Sequence, residues 1–244
     1  MLIKITIVEF RMRMREMLTP AFALALPLAM LFGFGLLPHA GRPNADLGGQ
    51  SLAEYIAVLG MGVAFVILAV VMLPSVLSDY REKGVLRRMR ATPVRPSALL
   101  AAQLAVNLGA AAVSAATMVV VGRLALGTAL PRAFGWFLAA VALSLLALFA
   151  VGLLIAALAP SGRAGNAIGM VLFFPSMFFA GYYVPRSQLP EAVARIGDYT
   201  PLGAGVKTIG DAWTGHAPEA SQLAVLGLYA VVAGAVAART FRWE

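Results

Sequence analysis

Residues 55–77 read YIAVLGMGVAFVILAVVMLPSVL, and residues 78–96 continue as SDYREKGVLRRMRATPVRP. Twenty-three uncharged residues are followed by nineteen that carry six of the chain's nineteen Lys and Arg residues. At about 1.5 Å per helical residue, the first run is long enough to cross a hydrocarbon layer about 30 Å thick. The second run is too charged to stay inside one. The pair reads as a membrane span followed by an aqueous connector.

The rest of the chain repeats the pattern. Of its 244 residues, 61% are hydrophobic and 12% charged, with a mean hydropathy of +0.85. That balance leaves too little polar surface for a soluble domain. Apolar segments fall at about 20–37, 55–77, 97–122, 134–158, 165–184 and 221–238, and none contains Asp, Glu, Lys or His. In lipid each can satisfy its backbone only as a helix. The expected fold is therefore an all-α integral membrane protein with six transmembrane helices in one domain, residues 1–244. The absence of cysteine excludes disulfides, thiolate metal sites and cysteine nucleophiles. His39 and His216 stand in separate outer loops without neighbouring ligands, so no metal site is expected. No catalytic group is assigned, and no internal repeat divides the chain into halves.

Six spans place both termini on one side. That side, with residues 1–19, 78–96, 159–164 and 239–244, holds thirteen of the basic residues; the other holds six. The excess of Lys and Arg marks the cytoplasmic side. It also accounts for the whole net charge of +8, because the outer side has six acids against its six bases. No nucleic-acid partner is required. The first apolar run, eighteen residues behind a long charged leader, is expected to be kept as a span rather than cut near Leu37–Gly41 as a signal peptide.

Three amphipathic stretches border the spans. In residues 1–17, Ile3, Ile7, Phe10, Met14 and Met17 share a helical stripe, with Lys4, Arg11 and Arg15 on another face. This fits an interfacial helix on the inner leaflet; packing on cytoplasmic protein is the alternative. Between spans five and six, Pro190 can open a helix with Leu189, Val193 and Ile196 on one face. After Thr200-Pro201, a second stripe runs Leu202, Val206, Ile209, Trp213. Both stretches are too short to span, so a re-entrant or interfacial outer hairpin in membrane contact is expected, an ordinary surface hairpin being the alternative. The third stretch is the connector itself. Residues 79–90 can form a short helix with Val85, Leu86 and Met89 together, weakened by Gly84 and ended by Pro93 and Pro96. Apolar residues there call for a partner protein to cover them.

Span five, GNAIGMVLFFPSMFFAGYYVP, contains Gly165-x-x-x-Gly169, which permits close helix contact, and Pro175, expected to kink it. Phe173, Phe174, Phe178 and Phe179 could line an apolar substrate path, or serve packing and lipid contact. In span three, Gln103 and Asn107 are expected to bond a neighbouring helix.

Two motifs carry a family resemblance. YREKGVLRRMRATPV resembles the cytoplasmic loop between spans two and three of ABC type-2 transporter permeases, with Arg81, Glu82, Gly84, Leu86, Thr92 and Pro93 matching and Met89 where Leu is commoner. AGYYVPRSQLPEAVARIGDYTPL is similar to the family's outer signature, carried by Gly181, Pro185, Leu189, Pro190 and Pro201. The closest likeness is to bacterial drug and antibiotic exporter permeases. One departure is the lack of an Arg near Asp211, although Lys207 is present.

The resemblance implies a non-catalytic subunit of the inner membrane that moves a drug, lipid or glycolipid outward. It implies two ATPase subunits that bind ATP and Mg, and a second permease chain, identical or homologous. It also implies that the loop helix (Arg81, Glu82, Gly84, Val85, Leu86, Met89, Thr92, Pro93) seats on the ATPase. Independently of it, the chain has no G-x-x-x-x-G-K-[ST]; Lys83 and Lys207 lack the glycines needed to cradle a phosphate. Energy from ATP must then come from another polypeptide. An ion-coupled secondary transporter is the alternative, although the spans lack the ionisable groups such proteins place at mid-membrane.

Overall fold

The computed structural model describes residues 6–7, 18–84 and 96–240, with backbone only for 18–22, 96 and 97. Eight helices account for most of this: α1 Leu18–Gly35, α2 Leu52–Glu82, α3 Pro96–Leu126, α4 Phe134–Leu158, α5 Gly162–Ala180, α6 Glu191–Asp198, α7 Pro201–Thr214 and α8 Ala220–Thr240. Among the described residues there is no strand, only an isolated bridge between Pro43 and Ser51. Among the described residues five helices, α2, α3, α4, α5 and α8, are long and apolar enough to cross a membrane. Ile7 lies in a helical turn and is 46% exposed. Ile3, Phe10, Arg11, Met14 and Arg15 lie outside the described residues.

Helix α2 forms the centre. It begins at a capping box: the Ser51 hydroxyl accepts from the Glu54 amide at 3.3 Å and the Glu54 carboxylate accepts from the Ser51 amide at 2.9 Å. Its most apolar stretch is 89% buried, against 22% for α5 and α8. Helices α1, α3, α4, α5 and α7 pack around it, and α8 lies along α4. The surrounding helices turn Val120, Leu124, Leu138, Val171, Leu228 and Val231 outward, the surface a protein solvated by lipid presents.

The middle of α2, Ile67–Met72, is wound as a π-helix, with the Leu73 amide donating to the Leu68 carbonyl five residues back. Pro74 explains the change. It has no N–H, so it can bond neither the Val70 carbonyl four residues behind nor the Ala69 carbonyl five behind. A Cβ on Gly152 of α4 would collide with the Ala69 carbonyl, and one on Gly169 of α5 with the Val70 carbonyl. Two glycines thus bring two helices onto the stretch of α2 that proline has loosened, close enough for Cα–H···O contacts. Gly165 continues the line, 3.0 Å from the Pro74 carbonyl by the same construction. The Gly165/Gly169 spacing is therefore a helix-packing face within this chain.

In α3 the polar face turns inward: Gln103 and Asn107 are buried, and Gln103 Nε2 donates to the Tyr80 hydroxyl of α2 at 3.3 Å. Ala101, Ala105 and Gly109 are exposed.

Candidate functional site

Two ends of the bundle carry the motifs. At the basic end, helix α2 runs four residues past Ser78, so Asp79–Glu82 is its last turn and not the start of a separate loop helix. Lys83 and Gly84 then form a turn, the Gly84 amide donating to the Arg81 carbonyl at 3.0 Å. Gly84 has φ +65, a left-handed conformation in which glycine ends helices without a Cβ penalty. This corrects the expectation of one helix across 79–90: glycine terminates the first part instead of merely weakening it. Val85, Leu86, Met89, Thr92 and Pro93 lie outside the described residues.

That last turn is packed on the connection between α4 and α5. Arg81 Nη1 donates to the Ala157 carbonyl at 3.3 Å, and Glu82 Oε2 accepts from the Gly162 amide at 3.2 Å. Asp79 pairs with Lys83 at 3.0 Å, and its carboxylate occupies the space that a Cβ on Gly162 would need.

The opposite end is closed by a lid of α6 and α7. Gly181 caps α5 at φ +93 and its carbonyl accepts from the Tyr55 hydroxyl at 3.0 Å. The Tyr182 hydroxyl donates to the Leu59 carbonyl. Pro185 precedes a short 3-10 turn, Arg186–Gln188; Pro190 immediately precedes α6; Pro201 is the first residue of α7, whose Thr200 cap accepts from the Gly203 amide at 3.1 Å. Pro190 and Pro201 thus stand where a missing N–H is harmless. Leu189 is half-buried.

The two stripes of the lid differ. Leu202, Val206, Ile209 and Trp213 are all buried, with Trp213 edge-on to Phe137 of α4 at 5.7 Å. This stripe meets protein, inserted among α2, α4, α5 and α8, whereas lipid contact was expected. Ile196, on the other stripe, is 51% exposed.

Arg186 gathers the lid. Its guanidinium pairs with Asp198 and donates to the Ala194 carbonyl at 3.1 Å and the Gly203 carbonyl at 3.4 Å. Lys207 stands 3.8 Å from Asp198 and 3.4 Å from Glu219. The sequence supplied no sign of this role, since Arg186 belongs to no stripe.

Burial raises the Asp211 pKa above 3.8, with Lys207 opposing and Glu219 reinforcing the shift. A carboxyl whose pKa is higher folded than unfolded opposes folding when ionised. Asp211→Asn is therefore expected to raise the melting temperature at neutral pH. The gain should shrink as pH falls through the raised folded value and vanish below the unfolded one. Melting curves of both proteins across acid pH check this; a gain that persists in acid would contradict it.

The aromatic cluster of α5 is paired but does not converge. Phe173 meets Phe174 edge-on at 5.4 Å and Phe178 meets Phe179 at 5.6 Å. Phe174 and Phe178 are exposed on the chain's surface, while Phe173 and Phe179 are half-buried. Among the described residues no group of three or more His, Asp and Glu side chains could hold a metal ion.

Over residues 2–209, the chain matches the family model described as ABC-2 type transporter. No curated protein matches it.

Proposed function

The chain belongs to the ABC-2 type transporter family, and on that premise we infer that this multi-pass permease subunit is an exporter driven by a separate ATPase. The observation that carries the reading is the root of the basic loop. Arg81 and Glu82 are seated on the bundle, and Gly84 then releases a segment rich in Arg with apolar Val85, Leu86 and Met89. Such a segment has a fixed base at Arg81–Gly84, and its sequence sets apolar residues among basic ones, as a docking element for a partner requires. The chain itself has no phosphate loop.

On this reading, α1 is the sixth span, both termini are cytoplasmic and the lid is outside. The substrate is amphiphilic or hydrophobic, a drug, lipid or glycolipid. Two permease chains and two ATPases assemble in the inner membrane, with ATP and Mg held by the ATPases. The outward rings of Phe174 and Phe178 favour a path completed by lipid or by the second permease chain over one bored through a single chain.

Co-expression with an ATPase encoded beside it, followed by purification through a tag on the permease, tests the reading. The ATPase should co-purify and its hydrolysis rate should change. Burying an apolar side chain contributes about 1.5–3 kcal/mol, so Leu86→Glu with Met89→Glu is expected to lower retention by about tenfold or more. An ATPase neither retained nor altered by the parental chain would defeat the proposal.

A further inference from the structure

We propose that Arg81 and Glu82 are positioning residues, a clamp that joins the root of the basic loop to the α4–α5 connection so that the two move as one lever. The proposal rests on the permease reading and gives these two residues a task different from contact with the ATPase.

Helix ends set the chemistry. The last carbonyls of α4 and the first amides of α5 have no partners within their own helices. Ala157 is in the last turn of α4, and Gly162 is the first residue of α5. Ser161 already satisfies the Ala164 amide at 3.1 Å. The Gly162 amide is not served by that cap, and Glu82 accepts from it. Arg81, one residue earlier, donates to the Ala157 carbonyl.

The signs of the charges agree with this arrangement. A helix carries partial negative charge at its C-terminus and partial positive charge at its N-terminus. One turn of α2 presents a cation to the first and an anion to the second. Asp79 adds a second carboxylate against the start of α5, where only glycine at position 162 leaves room for it. Both neighbouring charges, Arg81 half-buried and Glu82 exposed, therefore reach the α4–α5 connection, at opposite ends of consecutive helices. Displacement of the loop beyond Gly84 would draw on α4 and α5 through these bonds, as well as on α2 directly.

The chain's lack of cysteine permits a direct test in lipid nanodiscs, with the permease alone. Spin labels at Lys83→Cys and Val171→Cys, both exposed positions, report the distance from the loop root to α5. Labels at Val120→Cys and Leu228→Cys, also exposed, report on the rest of the bundle. The parental background should give one narrow loop-to-α5 distribution. Arg81→Ala with Glu82→Ala should at least double its width and leave the control pair narrow. Glu82→Gln, which keeps an acceptor oxygen for the Gly162 amide, should recover most of the narrow distribution; the single variants Arg81→Ala and Glu82→Ala, each expected to broaden it, provide the measurement if the double variant does not fold.

An unchanged loop-to-α5 width overturns the clamp, as does equal broadening of both pairs, which would mean general loosening. Loss of ATPase retention with an unchanged width would assign the two residues to the docking surface instead. Because the distances need no ATPase, failure of the parental chain to bind one would count against the permease reading alone.

Discussion

Gly152→Val is expected to destabilise the bundle by about 3 kcal/mol, at the upper end of ordinary overpacking costs. The obstacle is the Ala69 carbonyl, which lies where the new Cβ would go. A clash with a side chain could be relieved by a rotamer change. This one is with backbone, inside the π-helical stretch of a helix packed on several sides, so α2 and α4 must separate. Separation would cost contacts along both helices and weaken the seat of α8 on α4. In detergent the melting temperature should fall by roughly 6–12 °C, taking about 2–4 °C per kcal/mol for a chain of this size. Gly109→Val and Gly227→Val are the controls, since a Cβ at either meets nothing within 4 Å. Melting of Gly152→Val within 2 °C (a tolerance set at about half a kcal/mol) of these controls would refute the close approach of α4 to α2.

Five of the six expected spans appear as helices long and apolar enough to cross a membrane, legible because lipid penalises charge so heavily that its absence marks long apolar runs. Their mutual packing was less legible. The chain has 24 glycines, and the Gly165/Gly169 pair looks the same whether it faces α2, lipid or another chain. Pro74 was visible inside the second span, but the registers of α4 and α5 against it are set by three-dimensional packing. The lid's second stripe was read correctly as a helix and assigned the wrong partner. An apolar face at Leu202, Val206, Ile209 and Trp213 suits lipid and protein equally, and only burial distinguishes them. At the basic end, Gly84 was seen as a weak point in a helix, although its position after the Arg81–Lys83 turn makes it a stop. The roles of Arg81 and Glu82 at the ends of α4 and α5 were hidden because their partners are backbone groups about eighty residues away, which carry no residue-type signal.

Arg186 is the lid residue that sequence reasoning missed, and its removal has the other large expected effect. The Arg186 side chain is 17% exposed and that of Asp198 30%, so water screens this pair less than a surface ion pair. Breaking a fully buried pair costs about 3–5 kcal/mol; discounted for partial exposure, Arg186→Ala should cost about 2–3 kcal/mol. The loss exceeds one ion pair, because the Ala194 and Gly203 carbonyls each lose an added donor at the break between α6 and α7. Arg186→Lys should recover only about half. A single ammonium retains the charge but cannot serve a carboxylate and two carbonyls in the planar fork that arginine supplies. Lys207 already approaches Asp198, so the carboxylate is not stranded and the cost stays below the fully buried limit. Thermal melts of the parental protein, Arg186→Ala, Asp198→Ala and the double variant close a double-mutant cycle, with a coupling of about 1–2 kcal/mol expected for groups in direct contact. Proteolysis should show cutting near Thr200-Pro201 in Arg186→Ala before the bundle melts, since the lid loses its tie while α7 retains its buried face. A variant within about 0.5 kcal/mol of the parental protein, the scale of an exposed pair, would mean that the lid is held by the α7 stripe alone and that Arg186 is incidental to it.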